Sequence, residues 1–322
     1  MKAAVWTKYG SPEVIKIGDV KKPVPKANEI LIKIYTSTIT AGDCEMRRSD
    51  LPAWIWLPLR LYMGVFKPRI KVLGQELAGE IEALGKNVSQ FNIGDKVFAP
   101  TQMSLGAHAE YICLPASFVI SLKPESMSFE EATTLPTGGL NALHFLRKAN
   151  IKNGDKVLIN GAGGSIGTYG VQLAKLWGAE VTCVDAQDKL EMLSSIGADY
   201  VLDYEHVDFT RTGKTYDIII DIVGKSPFSR CVHILNPNGR YIQGNPRLST
   251  VFRGLWVSAF GNKKVINALA PYKIENLEYV KNLVTEGKIK PVIDKTFPID
   301  QIVEAHHYVE NGLKKGNVVI TI

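Results

Sequence analysis

At residues 156–167 the chain reads Lys-Val-Leu-Ile-Asn-Gly-Ala-Gly-Gly-Ser-Ile-Gly, a β-branched run followed by a glycine-rich turn. This order of residue types is typical of a strand that passes into a helix beneath the pyrophosphate of a dinucleotide. A glycine permits the tight turn, a second lets the backbone approach the pyrophosphate, and a third lets the helix pack closely. The helix N-terminus attracts phosphates because its N–H groups are unpaired. The predicted cofactor contacts in this turn are Gly161, Gly163, Gly164, Ser165, Ile166 and Gly167.

A second strand and an acid follow the predicted helix. The strand Glu180-Val-Thr-Cys-Val184 is closed by Asp185, which lies 18 residues beyond Gly167 and 22 beyond Gly163. These distances bracket the offset of about 20 residues at which an acid hydrogen-bonds the adenosine ribose. A glycine pattern alone is weak evidence, but strand, turn, helix, strand and acid together predict a Rossmann-type dinucleotide site.

Composition and charge indicate an ordinary globular protein. The 322 residues, 45% hydrophobic and 22% charged, suffice for two domains. The net charge of +6 is spread along the chain, so we expect no nucleic-acid partner. The four cysteines have no paired spacing and no signal-peptide pattern is present, which predicts a reducing, cytoplasmic location.

The residue pattern changes along the chain. Residues 1–122 contain short alternating runs separated by Gly, Pro and Asn, typical of a β-rich domain. Residues 123–271 form a second domain, in which βα alternation begins at about 150 and predicts a doubly wound parallel sheet. Residues 272–322 are predicted to return to the first domain. The predicted strands of the sheet lie near 156–160, 180–184, 199–203, 217–221 and 239–243, and its helices near 165–177, 187–196 and 227–235.

Two apolar, tryptophan-containing segments need separate interpretation. Residues 51–66 are too short to span a bilayer and contain two prolines and an arginine, so we expect no transmembrane segment. They are interpreted as the wall of a substrate pocket, with a core helix or a membrane or partner contact as alternatives. Residues 248–260 lie among basic residues and are interpreted as a substrate-side loop, with binding to nucleic acid or acidic lipid as the alternative.

Several motifs resemble those of the medium-chain dehydrogenase/reductase superfamily, closest to its zinc-free quinone oxidoreductase-like branch. This resemblance implies an α/β fold in which a Rossmann doubly wound parallel sheet accompanies a β-rich, GroES-like catalytic domain. It also implies homo-oligomers such as dimers. The motifs are Met1-Lys-Ala-Ala-Val-Trp6, Val72-Leu-Gly-Gln-Glu-Leu-Ala-Gly-Glu80, Asn92-Ile-Gly-Asp-Lys-Val97, Gly106-Ala-His-Ala-Glu-Tyr111 and Leu135-Pro-Thr-Gly-Gly-Leu-Asn-Ala142.

The sequence departs from the zinc-dependent alcohol dehydrogenases of that superfamily. Their catalytic zinc is held by a cysteine and by a histidine in a Gly-His-Glu run, which here reads Gly74-Gln75-Glu76. Thr40 stands in the cysteine's place, Cys44 comes too late, and the cysteine-dense lobe for structural zinc is missing. A catalytic zinc normally needs three Cys, His or carboxylate ligands, so we predict no zinc. The resemblance then implies hydride transfer from NAD(P)H to a small hydrophobic quinone or α,β-unsaturated carbonyl compound.

Further site residues are predicted with this activity. Asp43 and Tyr62 are candidate catalytic groups, although each is equally consistent with a helix cap or a pocket wall. The resemblance places Lys189 and Tyr204 where relatives hold the 2′-phosphate of NADPH, whereas the Asp185 carboxylate would repel that phosphate and favours NADH. Other predicted cofactor contacts, at strand ends and in the return segment, are Val223, Gly244, Asn245 and Asn317.

Three other functions remain open at this point. One is a zinc-type alcohol dehydrogenase-like enzyme. The second is a serine hydrolase, because Gly163-Gly-Ser-Ile-Gly167 also fits GxSxG, with Asp221 and His306 as triad partners of Ser165. The third is a nicotinamide-sensing binding protein without catalysis, since a fold alone does not prove turnover.

Overall fold

The computed structural model describes residues 1–50, 53–267 and 270–322, which form two compact units. The first unit contains Met1–Thr137, Lys273–Lys281 and Ile293–Ile322, and the second contains Gly138–Tyr272 and Asn282–Val292. The second unit thus begins at Gly138 and not at the expected residue 123. Part of the return segment expected from residue 272, Asn282–Val292, belongs to the second unit.

The strands and helices are numbered in chain order. The strands are β1 Lys2–Trp6, β2 Ile15–Asp19, β3 Glu29–Thr38, β4 Glu76–Leu84, β5 Lys96–Pro100, β6 Tyr111–Pro115, β7 Ser121–Leu122, β8 Lys156–Asn160, β9 Glu180–Asp185, β10 Tyr200–Asp203, β11 Tyr216–Asp221, β12 Leu235–Gln243, β13 Lys264–Asn267, β14 Ile293–Pro298 and β15 Asn317–Thr321. The helices are α1 Ala41–Arg48, α2 Ala53–Met63, α3 Phe129–Ala132, α4 Leu140–Ala149, α5 Ser165–Leu176, α6 Leu190–Ser195, α7 Phe228–His233, α8 Leu248–Phe260, α9 Ile274–Thr285 and α10 Ile302–Glu310.

The second unit contains a six-stranded parallel sheet in the order β10-β9-β8-β11-β12-β13. In order of appearance this is 3-2-1-4-5-6, the arrangement of dinucleotide-binding Rossmann sheets, so the predicted fold class is confirmed. Its central strands are buried on both faces, as their continuous apolar sequences require. The sheet also has a sixth strand, β13, and residues 248–260 form the helix α8 instead of the expected loop.

The first unit is built on a seven-stranded sheet and a separate β1-β2 pair. The path of the large sheet is β14-β15-β3-β4-β5-β7, and β6 also pairs with β3. The last strand of the chain, β15, runs antiparallel to β3, so the C-terminal segment completes the N-terminal sheet. One core of this unit packs against the sheet around Ile32, Leu77 and Val97.

The link between Leu122 and Gly138 belongs to the first unit for a physical reason. Thr36 of β3 donates its hydroxyl to the Phe129 carbonyl of α3 at 2.9 Å, and Thr137 donates its N–H to the Glu76 carboxylate at 2.7 Å. These hydrogen bonds attach residues 129–137 to β3 and β4. Their partners are distant in sequence, so residue patterns did not show the attachment.

The apolar segment at 51–66 forms α2, which contains Pro58, and a short turn. Residues 51 and 52 lie outside the described residues. Leu57 and Leu61 are more than half exposed, and Phe66 is 93% exposed, which is contrary to a core helix. Among the described helices, none is both long enough and apolar enough to cross a bilayer.

Candidate functional site

The glycine-rich turn has the close backbone packing that its sequence predicts. Gly161 has φ +83°, and a Cβ there would lie 2.6 Å from Cγ2 of Val223. A Cβ at Gly167 would lie 2.5 Å from the Cα of Ala162, so α5 can start beside the turn only without a side chain at this position. The turn therefore places the N-terminus of α5 close to the end of β8, and binding of a pyrophosphate there stays a prediction.

Asp185 is bound to this turn. Its Oδ2 accepts the Gly163 N–H at 2.7 Å, and its Oδ1 accepts the Ala186 N–H at 2.9 Å. The Lys189 ammonium lies 3.1 Å from Oδ1, and both side chains are largely buried. A Cβ at Gly163 would lie 2.6 Å from Cδ of Lys189. Gly163 thus makes room for the Asp185–Lys189 pair, a role that the sequence analysis did not foresee.

The predicted contacts from neighbouring strands lie at the carboxyl ends of β11 and β12. Val223 packs over Gly161, and the Gly244 N–H donates to the Asp221 carbonyl at 2.9 Å. Asn245 packs against Gly224, where a side chain would collide with its carbonyl oxygen. In doubly wound sheets, ligands bind at the carboxyl ends of the strands. These residues therefore lie at the same edge of the parallel sheet as the glycine turn, the edge formed by the carboxyl ends of the strands.

Tyr204 is the remaining predicted cofactor residue of the second unit. Its N–H donates to the Asp185 carbonyl at 3.2 Å, and its side chain is 55% exposed. Burial of its hydroxyl, with the acids Glu205 and Asp185 nearby, raises the pKa of Tyr204 above its usual value. The phenol stays protonated and can donate a hydrogen bond. Asn317, predicted to reach the cofactor from the return segment, is buried in β15 of the first unit, and its cofactor contact stays a prediction.

The structure gives the hydrolase triad no support. The Asp221 carboxylate accepts hydrogen bonds from Tyr241 at 2.9 Å, and from Asn160 and the Gly224 N–H at 3.0 Å. In the first unit, Nδ1 of His306 lies 3.3 Å from the Cys44 sulfur. An acid in a triad must orient the imidazole, and each of these residues has other partners.

In the first unit, Thr40 and Gln75, which the resemblance assigns to zinc-ligand positions, contact each other directly. Nε2 of Gln75 donates to Oγ1 of Thr40 at 2.7 Å. Gly42 makes this approach possible, because a Cβ there would lie 2.6 Å from Nε2 of Gln75. A neutral hydroxyl and a neutral amide are not the donors that zinc requires, so these residues do not fit the metal.

Asp43 caps the helix that begins beside this pair. Its Oδ2 accepts hydrogen bonds from the N–H and hydroxyl of Thr40 at 2.9 and 2.6 Å, and its Oδ1 accepts the Gly74 N–H at 3.2 Å. The carboxylate is fully buried and forms a reciprocal capping box with Thr40. The capping alternative therefore describes the observed contacts of Asp43, and a catalytic role stays a prediction.

Tyr62, the other candidate catalytic group, lies on α2. Its hydroxyl donates to the Met103 carbonyl at 3.0 Å, and its side chain is 49% exposed. Its place among exposed apolar neighbours is consistent with a pocket wall.

Sequence reasoning missed a buried carboxyl group next to Gln75. Oε1 of Glu76 accepts the Thr38 hydroxyl at 2.5 Å, and the Thr137 N–H donates to Oε2. Burial without a cation raises the pKa of Glu76 to about 7, although the two hydrogen bonds oppose this shift. The Gly-Gln-Glu motif identifies Glu76 in the sequence, but its burial could not be predicted because its partners, Thr38 and Thr137, lie far away in the chain.

A second missed cluster is formed by Cys44, His306 and His108. Burial raises the pKa of the Cys44 thiol to about 12 and lowers the pKa of both imidazoles, so the cluster is neutral. The rings of the two histidines lie 6.2 Å apart, edge to face, and Nε2 of His108 lies 3.0 Å from the Thr38 carbonyl. Within the described residues, no group of three or more His, Cys, Asp or Glu side chains is arranged to hold a metal.

Comparisons with known proteins place this geometry in a family. The profile of the alcohol dehydrogenase GroES-like domain matches residues 26–124, and that of zinc-binding dehydrogenases matches residues 196–320. A quinone-oxidoreductase homolog from the chloroplast of Spinacia oleracea is 32% identical over 99% of this chain and 98% of its own length. A 2-methylene-furan-3-one reductase of Solanum lycopersicum is 30% identical over 99% of this chain and 79% of its own length.

A solved structure agrees with these relatives. The quinone oxidoreductase from Coxiella burnetii superposes with a TM-score of 0.89 and 30% identity, covering 100% of this chain and 99% of that one. These relatives are oxidoreductases, which removes the hydrolase and the non-enzymatic alternatives. With a Rossmann glycine turn, a GroES-like sheet and relatives along nearly its whole length, the chain belongs to the medium-chain dehydrogenase/reductase superfamily and is a nicotinamide-dependent oxidoreductase.

Proposed function

We propose that this enzyme reduces quinones or α,β-unsaturated carbonyl compounds without zinc. The observation that carries the proposal is the 2.7 Å hydrogen bond between Gln75 and Thr40, at the positions that hold zinc in the zinc-dependent relatives. Oxidation of a simple alcohol would need a Lewis acid to stabilise the developing alkoxide. An electron-poor acceptor needs only correct orientation and a hydrogen bond to its oxygen.

The side chains of the first unit supply that hydrogen bond in this proposal. The amide of Gln75 carries two donor protons, and one of them is directed to Thr40. The second can polarise the carbonyl or quinone oxygen of the substrate, while Asp43 positions Thr40 and thereby the amide. When bound, the nicotinamide supplies the hydride.

The cofactor is held by the second unit, and we propose a preference for NADH. The Asp185 carboxylate ends β9 beside the glycine turn, where it can accept hydrogen bonds from ribose hydroxyls but would repel a 2′-phosphate. Lys189 partly neutralises this carboxylate at 3.1 Å, which keeps NADPH as the alternative cofactor.

The proposed substrate is small and hydrophobic, since α2 presents Trp56, Leu61 and Tyr62 as a partly exposed apolar wall. A homodimer and a cytoplasmic location stay predictions from the sequence and its resemblance, and relatives include chloroplastic and mitochondrial proteins.

The zinc-dependent alcohol dehydrogenase is the alternative that one comparison favours, through the zinc-binding dehydrogenase profile. That match covers residues 196–320 and therefore contains neither Thr40 nor Gln75. Two assays separate these functions. One measures oxidation of NADH and NADPH with a panel of quinones, enones and enals, and the other measures oxidation of primary and secondary alcohols with NAD⁺ and NADP⁺. We expect turnover with the activated acceptors, and activity with alcohols alone would refute the proposal.

A further inference from the structure

The outward face of α8 is an exposed apolar stripe that the proposed reaction does not use. Phe252, Leu255, Trp256 and Phe260 are 68%, 61%, 68% and 79% exposed. Their spacing of three and four residues places them on one side of the helix. The rings of Trp256 and Phe260 lie 5.8 Å apart, so they form one continuous aromatic surface. We refer to these four residues as the α8 stripe.

The opposite face fixes the helix to the edge of the sheet. A Cβ at Gly254 would lie 2.7 Å from Cγ1 of Val265, so helix and strand are in close contact. The Ser258 hydroxyl accepts the Val265 N–H at 2.9 Å. The stripe therefore belongs to a well-packed helix lying flat on β13, and its exposure does not come from a loose end.

The charged residues of the chain segment that contains the stripe have one sign. Residues 222–274 contain no Asp or Glu but eight Lys and Arg residues. Arg247 directly before α8, Arg253 on α8 and Lys264 at the start of β13 are exposed. An apolar stripe flanked by cations, in a segment without acids, is the composition of helices that lie in the interface of an anionic membrane.

A groove beside the stripe also combines apolar side chains with a cation. It has a volume of about 460 Å³ and lies between α7 and α8, where Phe228, Val232, Phe252 and Trp256 line it. The Arg253 guanidinium lies 4.6 Å from the centre of the Phe228 ring and hydrogen-bonds Ser229. The groove thus offers apolar walls beside a cation, which suits an acyl chain next to an anionic headgroup.

We propose that α8 docks this enzyme on the surface of an anionic lipid bilayer. The stripe would enter the boundary between headgroups and acyl chains, and Arg247, Arg253 and Lys264 would contact the headgroups. A second copy of the chain is a poorer occupant, because two such faces would bring cations against cations. Nucleic acid would pair with the cations but would leave Leu255 and much of the aromatic surface without an apolar partner.

Sedimentation with vesicles tests this proposal independently of substrate turnover. The full chain is mixed with vesicles of phosphatidylcholine alone or of phosphatidylcholine with phosphatidylglycerol, at low and high salt. We expect binding to the anionic vesicles only, weakened by salt, and reduced about tenfold or more in the Trp256→Ser/Phe260→Ser variant. A Lys264→Glu variant should also bind less, whereas Ile93→Ser, which changes an exposed apolar residue of the first unit, should bind like the wild type.

Circular dichroism and retained NAD(P)H binding establish that each variant is folded. Equal binding to both vesicle types, or unchanged binding by the α8 variant, would overturn the proposal. It would also be overturned if vesicles do not bind and the α8 variant instead loses binding to a DNA or RNA oligonucleotide. The same holds if vesicles do not bind and the variant changes the oligomeric state in size-exclusion chromatography.

Discussion

The glycine turn at residues 161–167 and the Thr40–Gln75 pair contrast two ways in which a sequence relates to its superfamily. The turn keeps the residue pattern of dinucleotide-binding folds, and Gly161 and Gly167 are sterically required in it. The pair instead has a hydroxyl bonded to an amide at the positions that the resemblance assigns to metal ligands. In our proposal, one region binds the hydride donor as the superfamily does, and the other has a neutral hydrogen-bond donor in place of a Lewis acid.

This contrast limits the chemistry more than either region does alone. A nicotinamide site by itself is compatible with alcohols, quinones and enones as reaction partners. If zinc is absent, as we propose, the remaining acceptors are those whose developing negative charge one or two hydrogen bonds can stabilise. Substitutions in the two regions should therefore affect different steps, binding of the cofactor in one case and turnover of the acceptor in the other.

The largest expected effect is on cofactor binding, from Gly167→Ala. The new Cβ would lie 2.5 Å from the backbone of Ala162, so the turn or the start of α5 must shift. We expect affinity for NADH and NADPH to fall at least about a hundredfold, or about 3 kcal/mol, measured by fluorescence titration. Gly170→Ala in the same helix is the matched control, because its Cβ would have an ordinary contact of 3.7 Å with Ile159. Equal affinities in both variants would show that the turn is not the cofactor site.

The next largest effect is expected on turnover of the acceptor, from Gln75→Leu in the Thr40–Gln75 pair. This change removes the amide that we assign to the substrate oxygen but keeps a similar volume. We expect kcat/KM for the acceptor to fall about thirtyfold while cofactor affinity stays unchanged. Gln90→Leu, which removes a hydrogen bond to Ala116 elsewhere in the same unit, serves as the control. An unchanged kcat/KM would remove Gln75 from the proposed mechanism.

Glu76 predicts a dependence of stability on pH. Because its pKa is raised from 4.5 to about 7, the folded chain binds this proton more tightly than the unfolded chain does. The resulting stabilisation is fully present below about pH 4.5 and is lost as the pH rises through about 7. Glu76→Gln should match the wild type near pH 5 and exceed it by about 2 kcal/mol near pH 8.5 in urea unfolding.

A glutamine can occupy this position because it can accept the Thr137 N–H and donate to the Thr38 hydroxyl. Glu80→Gln on the same strand is the matched control for loss of a carboxylate. If the Glu76 variant followed the wild-type profile, the carboxyl group would not carry this titration.

The smallest of these effects concerns the choice of cofactor, with Asp185→Ser. Removing the carboxylate releases Lys189 from its ion pair and removes repulsion of a 2′-phosphate. We expect the ratio of kcat/KM for NADPH over NADH to rise about tenfold. Asp188→Ser, which changes a nearby acid, should shift this ratio far less. A ratio that stays constant in the Asp185 variant would contradict the assignment of Asp185 to the ribose.

The sequence was most informative where local pattern alone determines structure. The buried strands β8, β9 and β11 lie within one residue of their predicted ends, because continuous apolar runs between turn residues allow little else. It was less informative for α8, whose apolar residues face outward, so that their spacing did not indicate a buried helix. The partners of Glu76 and the link from 122 to 137 could not be predicted, because both depend on residues far apart in the chain. For Asp43, a cap and a catalytic acid require the same residue, and only the contacts to Thr40 and Gly74 distinguish them.

The most direct test of zinc-independent reduction is the metal dependence of turnover. The enzyme is treated with a strong chelator, its zinc content is measured, and oxidation of NADH and NADPH is followed with its best quinone or enone before and after zinc is added back. We predict full turnover in the zinc-free enzyme and no gain from added zinc. Activity that disappears with the metal and returns with it would contradict the account, since Thr40 and Gln75 would then lie at a working zinc site.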